Sequence, residues 1–221
     1  AKGEIFAGLK AGATAVVNVD DPLIPGQAKR IAPGVKTLTY GRAASDVRLS
    51  TVEMHGRDGL AIVITYEGKE HPIALNLIGD HNAMNATGAF ALAIAMGFSP
   101  NECVRGLEAA QAHARRLQVV QGLHGVTVID DCYNANPASM GAALDALSGL
   151  SVESRAIAVL GDMLELGERE QQEHAQIGVK ASDQTQLIAF FGPRMAAANA
   201  QAAKKLKDKA QHFTDIEPLL A

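Results

Sequence analysis

"VTVIDDCYNANPASMGAALDAL", residues 126–147, decides how the chain is read. Val126, Thr127, Val128 and Ile129 form a short β-branched run, and Pro137 opens an Ala-rich, helix-forming segment. A strand that passes straight into a helix is one step of a βαβ unit. The step recurs twice downstream. "RAIAVLG" (155–161) leads into "EREQQEHAQIGVKA" (168–181), and "LIAFFG" (187–192) into "PRMAAANAQAAKKL" (193–206). Such alternation predicts an α/β fold with a Rossmann-like, mainly parallel sheet. "DDCYNANP", "GDMLELGE" and "GPR" are then strand-end loops that share one edge, the edge where such sheets hold ligands.

Upstream, the polar stretch "HARRLQVVQG" (113–122) reads as the crossing between two domains, 1–113 and 114–221. The first begins with a helix whose Ile5, Phe6 and Leu9 share a face, followed by a buried strand at 15–18. "NVDDPLIPG" (18–26) is a loop by its polar residues and prolines, and 37–40 is another short strand. Between Asp46 and Ile78 the pattern alternates around "GRDG" and "EGK", as antiparallel strands do. "GDHNAMNATGAFALAIAMG" (79–97) predicts a helix capped by Asp80 and stopped by Gly97. "SPNE" (99–102) is a capping box for a further helix running to about His113.

The 221 residues allow one large domain or two modest ones, and with no Trp and few aromatics the core must be built mainly from Ala, Val, Leu and Ile. A net charge of -4 gives no support for nucleic-acid binding; "KKLKDKA" (204–210) reads as a solvated helix end. Cys103 and Cys132 lie in no metal-ligand or disulfide spacing. With no signal peptide or spanning apolar run, a cytoplasmic protein without membrane insertion is expected. The chain starts without Met, in the middle of a helical pattern, and is expected to be a fragment of a longer one.

Three clusters carry candidate chemistry, each with a plainer rival. Asn136 and Pro137 are explained as a helix cap and first turn, which leaves Asp130, Asp131, Tyr133 and Asn134 open between turn and site. Carboxylates at a strand end suit ribose hydroxyls, and amides suit a base or phosphate oxygens. Asp162, Glu165 and Glu168 suit a helix start, and the dipole explains them. His81, Asn82 and Asn85 share a helical face and would suit the hydrogen-bonding edge of a base. Arg115 and Arg116 are either a surface pair or a phosphate clamp. No G-x-x-x-x-G-K-[ST] phosphate loop occurs in the sequence.

Together, "IDDCYNANPASM" (129–140), "GDMLELGE" (161–168), "GDHNAMNATGAFALAIAMG" and "AKGEIFAGL" (1–9) resemble the Mur ligases. Within that family the D-D-x-Y-N-A-N-P run resembles the member that adds D-alanyl-D-alanine to UDP-N-acetylmuramoyl-tripeptide. The resemblance implies that 1–113 is the later part of a central ATPase domain. Residues 114–221 would be an incomplete Rossmann-like ligase domain, and the UDP-sugar domain and phosphate loop would lie upstream. It implies ATP and Mg²⁺ as cofactors, an acyl-phosphate intermediate, and a monomer. Asn82 and Asn85 would hold adenine with His81 beside them, and Arg116 would meet the phosphates across the domain gap. Asp131 or Asp130 would bind ribose, while Tyr133, Asn134 and Asn136 would line the nucleotide and amine site. Lys2 matches a lysine that becomes carbamylated and helps hold a second Mg²⁺. Two alternatives stand beside this reading: a nucleotide-binding module without a phosphate loop, and a sister ligase with another amino-acid substrate.

Overall fold

The computed structural model describes residues 3–43, 45–150 and 155–220. The chain divides into two compact units, Ala1–Gln111 and Ala112–Ala221.

The first unit runs α1 (Glu4–Ala7), β1 (Thr14–Asn18), α2 (Ile24–Ala28), β2 (Lys36–Gly41), β3 (Val47–Met54), β4 (Leu60–Tyr66), β5 (Lys69–Leu75), α3 (Asp80–Ala95) and α4 (Pro100–Glu108). Its sheet has the order β1-β2-β3-β4-β5. The β1/β2 and β2/β3 pairs are parallel, and the β3/β4 and β4/β5 pairs antiparallel. Glu67 and Gly68 both take positive φ, 50° and 72°, which makes the two-residue turn between β4 and β5 match the strand twist. Pro72 is tolerated because β5 is the edge strand.

Alternation along β4 buries Leu60, Ile62 and Ile64 and points the residues between them outward. These meet Val47, Leu49, Ile73 and Leu75 on one side and Ala83, Ala86, Phe90 and Ala91 of α3 on the other. Small residues on α3 let the helix lie close to the sheet, and Phe90 fills the remaining volume with no exposed surface. Tyr66 meets the Phe90 ring edge-on, with centroids 6.2 Å apart.

The second unit runs β6 (Gln118–Gln121), β7 (Thr127–Asp130), α5 (Pro137–Leu150), β8 (Ile157–Gly161), α6 (Glu170–Gln184), β9 (Leu187–Phe191), α7 (Ala196–Leu206), β10 (Ala210–Phe213) and α8 (Ile216–Leu220). Three strands, ordered β10-β9-β8, form the parallel sheet that the βα alternation predicts. Leu144 of α5, Ile177 and Ala181 of α6, and Ala198 and Ala202 of α7 pack against Ala158, Ile188 and Phe190 of its strands. At Gly178 a β-carbon would lie 2.1 Å from the Ala198 carbonyl oxygen, so the α6–α7 crossing admits only glycine.

Several expectations are corrected. "TVID" is not the first strand of the parallel sheet but pairs antiparallel with β6 in a separate two-stranded sheet. The cause is the intervening "GLHG": His124 (φ 55°) and Gly125 (φ 80°) turn the chain back, and Gly122 N–H bonds Val126 C=O at 2.7 Å. Part of the supposed polar crossing is therefore a strand. Helix α2 begins at Ile24, within the supposed loop, with Pro25 in its first turn; α4 stops at Glu108, and the helix-capping position falls on Gly79 (φ 86°) rather than Asp80. The Ser99/Glu102 capping box and the turn at Gly97 (φ 94°) form as expected. Among the described residues no helix is long and apolar enough to cross a membrane.

Two outcomes follow from this packing. Gly178→Ala should destabilise the second unit by about 1–3 kcal/mol, read as a lower urea midpoint, because the helices must part to fit one methyl. In the first unit, the backbone N–H and then the hydroxyl of Thr39 hold the Asp46 carboxyl below its ordinary value of 3.8. A depressed carboxyl stabilises above its unfolded value and loses that contribution as the pH falls through its folded one. The stability advantage over Asp46→Asn should therefore be full at neutral pH and shrink below pH 3.8 in denaturation titrations.

Candidate functional site

In the first unit the candidate residues gather where α3 begins beside the carboxyl end of β2. Arg42, just past β2, places its guanidinium 2.6 Å from the Asp80 carboxylate. Asp80 is thus an ion-pair partner that tethers the helix start. The Asn82 amide donates to Ile78 C=O at 2.8 Å, and the Asn85 amide donates to Asn82 Oδ1 at 3.1 Å. Asn82 is half-buried and fixed by the backbone, while Asn85 is exposed on the same face. The His81 ring lies over Gly79, where a β-carbon would come within 2.8 Å of it.

Residues that sequence reasoning passed over complete this region. Asp20 accepts from the Arg42 N–H at 2.6 Å and the Ala43 N–H at 3.1 Å, fixing the turn after β2. The Tyr40 ring packs under Gly88 of α3, and burial pushes its hydroxyl above the ordinary value despite a hydrogen bond with Asn18. The signal was present in "NVDD", a polar strand end of the same type as "DDCYNANP", but its prolines had marked it as a plain loop.

In the second unit the loop after β7 is built around the segment that enters β6. Asp131 accepts from the Leu117 N–H at 3.0 Å, and the Tyr133 N–H donates to Arg115 C=O at 3.1 Å. The Arg116 guanidinium carbon sits 4.1 Å from the centre of the Tyr133 ring. Asp130 accepts from the Cys132 N–H at 3.2 Å. The Cys132 thiol and N–H hold the Asp130 carboxyl below its ordinary value, and the same carboxylate pushes the thiol up. Cys132 is therefore a poor nucleophile at neutral pH. Asn134 Oδ1 accepts from the Ala135 N–H. Asn136 Oδ1 accepts from the Ser139 N–H at 2.9 Å, while Ser139 Oγ accepts from the Asn136 N–H at 3.1 Å, a reciprocal cap for α5.

The loop after β8 serves the fold. Asp162 accepts from the N–H groups of Arg194 and Met195, each at 3.0 Å, and Glu170 holds the Arg194 Nε at 2.9 Å. Fully buried His174 accepts from the Met163 N–H on Nε2 at 3.0 Å and faces Glu170 C=O with Nδ1 at 2.7 Å. A carbonyl can only accept, so Nδ1 carries the proton and Nε2 is bare. The loops after β8 and β9 thus share one edge of the three-stranded sheet, whereas the loop after β7 follows a strand of the other sheet. Lys2 lies outside the described residues. Among those that are described, no group of three or more His, Cys, Asp or Glu side chains could hold a metal ion.

Residues 1–93 match the Mur ligase middle domain, and residues 115–221 the glutamate ligase domain of Mur ligases. The UDP-N-acetylmuramoyl-tripeptide–D-alanyl-D-alanine ligase of Bacillus subtilis is 33% identical over all of this chain and 47% of its own length. A crystal structure of MurF from Acinetobacter baumannii aligns over 100% of this chain and 47% of that one, at 31% identity and a TM-score of 0.88. MurF ligase from Thermotoga maritima in complex with ADP shares the fold, with a TM-score of 0.82 over 99% of this chain and 48% of that one, at 23% identity. The chain spans about half the length of the curated relatives it matches.

Replacing His174 by Leu would strip the Met163 N–H of its acceptor inside the core. The variant should lose about 1–3 kcal/mol of stability, measurable by thermal or urea denaturation of the second unit.

Proposed function

Because the chain belongs to the Mur ligase family, we propose that it carries nucleotide- and amine-facing parts of an ATP-dependent ligase. The proposed reaction joins D-alanyl-D-alanine to UDP-N-acetylmuramoyl-tripeptide, as the Bacillus subtilis relative's name states of that enzyme. The terminal carboxylate of the tripeptide attacks the γ-phosphorus of ATP, the bond to the β-phosphate oxygen breaks, and ADP leaves. The amine of D-alanyl-D-alanine then attacks the acyl phosphate, releasing inorganic phosphate and a proton as the amide forms.

The observation that carries the reading is the amide pair at the start of α3. Asn82 is fixed by Ile78 C=O and in turn orients Asn85, which presents an exposed amide beside His81. Paired donor and acceptor groups on a rigid helix suit the edge of adenine, and none of this needs the phosphate loop that the sequence lacks. Arg116 is assigned to the phosphates, where a fork of donors offsets charge on the transferring group. Asp131, with Asp130 next to it, is assigned to the ribose; Tyr133, Asn134 and Asn136 border the nucleotide and the amine. Mg²⁺ would neutralise phosphate charge when bound. Lys2, carbamylated, is the residue of this chain proposed to help hold it, and the described residues form no cluster that would bind it by themselves.

The test is phosphate release from ATP, coupled to both substrates, by the ligase that contains this chain. Asn85→Ala should raise KM for ATP about tenfold, the loss expected for one or two hydrogen bonds to a base, with the melting temperature unchanged. An unchanged KM would remove Asn85 from the adenine site.

A further inference from the structure

The arginines of this chain have different employment. Arg42 is engaged by the carboxylate of Asp80, and Arg194 by those of Asp162 and Glu170. Among the described residues Arg116 has no carboxylate within ion-pair reach, and its contact is the Tyr133 ring, 4.1 Å away. The difference is chemical. A carboxylate occupies the edge donors of a guanidinium, whereas an aromatic ring meets its face and leaves the N–H groups around the rim open.

The backbone beside Arg116 points the same way. Arg115 and Leu117 both take left-handed conformations, φ 63° and 49°, which non-glycine residues hold only when their surroundings impose them. The surroundings are the loop after β7. Tyr133 donates its N–H to Arg115 C=O, and Asp131 accepts from the Leu117 N–H. Backbone on both sides of Arg116 and its side chain are thus gripped by Asp131 and Tyr133, so the loop serves as a mould for one cation. Yet Tyr133 is 59% exposed, so its ring is not retained to fill the core.

We propose that Tyr133 is a positioning residue for Arg116: its ring holds the guanidinium face-on so that the open rim donors meet the phosphates of ATP. This rests on the assignment of Arg116 to those phosphates. Arg116 touches the phosphates; Tyr133, on the loop that borders the nucleotide and the amine, acts on those phosphates only through Arg116.

The test combines kinetics with an NMR readout of Arg116 in the same ligase. The Arg116 Nε–Hε signal, assigned by comparison with Arg116→Lys, should show an upfield ring-current shift in the wild type. Tyr133→Phe keeps the aromatic face and should retain both this shift and KM for ATP within about twofold. Tyr133→Leu should abolish the shift and raise KM for ATP about tenfold, with a smaller change in kcat and an unchanged melting temperature. Adding Tyr133→Leu to Arg116→Ala should change KM no further, because the two residues act as a unit. The proposal is overturned if Tyr133→Leu abolishes the shift but leaves KM unchanged, or if it raises KM equally in the Arg116→Ala background. An Arg116→Ala enzyme with wild-type KM for ATP would instead sink the phosphate assignment on which the proposal stands, while the shift still reports the stacking.

Discussion

Where a strand ends, the backbone N–H groups beyond it lose their ladder partners and must find acceptors or leave the turn unformed. In this chain aspartates supply them. Beyond β2 Asp20 serves Arg42 and Ala43, and beyond β9 Asp162 serves Arg194 and Met195; Asp131 does the same for Leu117 just ahead of β6, and Asp46 for Thr39 within β2. Each of these bonds joins two segments that lie apart in sequence, so each fixes a loop against another part of its unit. These bonds fix loops in both units, and fixed loops are what a ligand-facing edge requires.

How far the sequence shows all this depends on how local the cause is. The capping box at Ser99, the turn at Gly97 and the reciprocal cap at Asn136 are set by neighbouring residues, and each forms as the sequence indicates. Alternation in β4 and the apolar runs of β8 and β9 likewise predict their strands. The hairpin between β6 and β7 was hidden because "GLHG" needs His124 in a left-handed conformation, which no residue-type rule demands of histidine. "TVID" looks the same whether its neighbour is parallel or antiparallel; only pairing over distance separates the two. Asp80 shows a further limit: an acidic residue opening a helix reads as a cap, but the Arg42 cation drew it into an ion pair.

The candidate site divides in the same way. His81, Asn82 and Asn85 were legible because two amides three apart on an apolar helix lack a packing role. Tyr40, Arg42 and Asp20 were not, since they reach α3 or the turn after β2 only once the sheet has formed. In "GDMLELGE" Asp162 does serve the fold, but as an acceptor for the turn leading into α7 rather than for the helix that follows it in sequence. In "DDCYNANP" the sequence left turn and site open. Asn136 caps a helix, and Asp131 and Tyr133 grip the segment around Arg116.

Asp130 stands apart from the other strand-end aspartates because the N–H it accepts belongs to its near neighbour Cys132. It also raises the Cys132 thiol, and peroxides attack the thiolate rather than the thiol. Cys103 is buried, which leaves Cys132 as the exposed cysteine of the chain, next to Tyr133 and within electrostatic reach of Arg115. A loop that carries an accessible cysteine beside a cation would ordinarily invite oxidation. The neighbouring carboxylate favours the protonated thiol, which disfavours attack on this sulfur although it stays exposed.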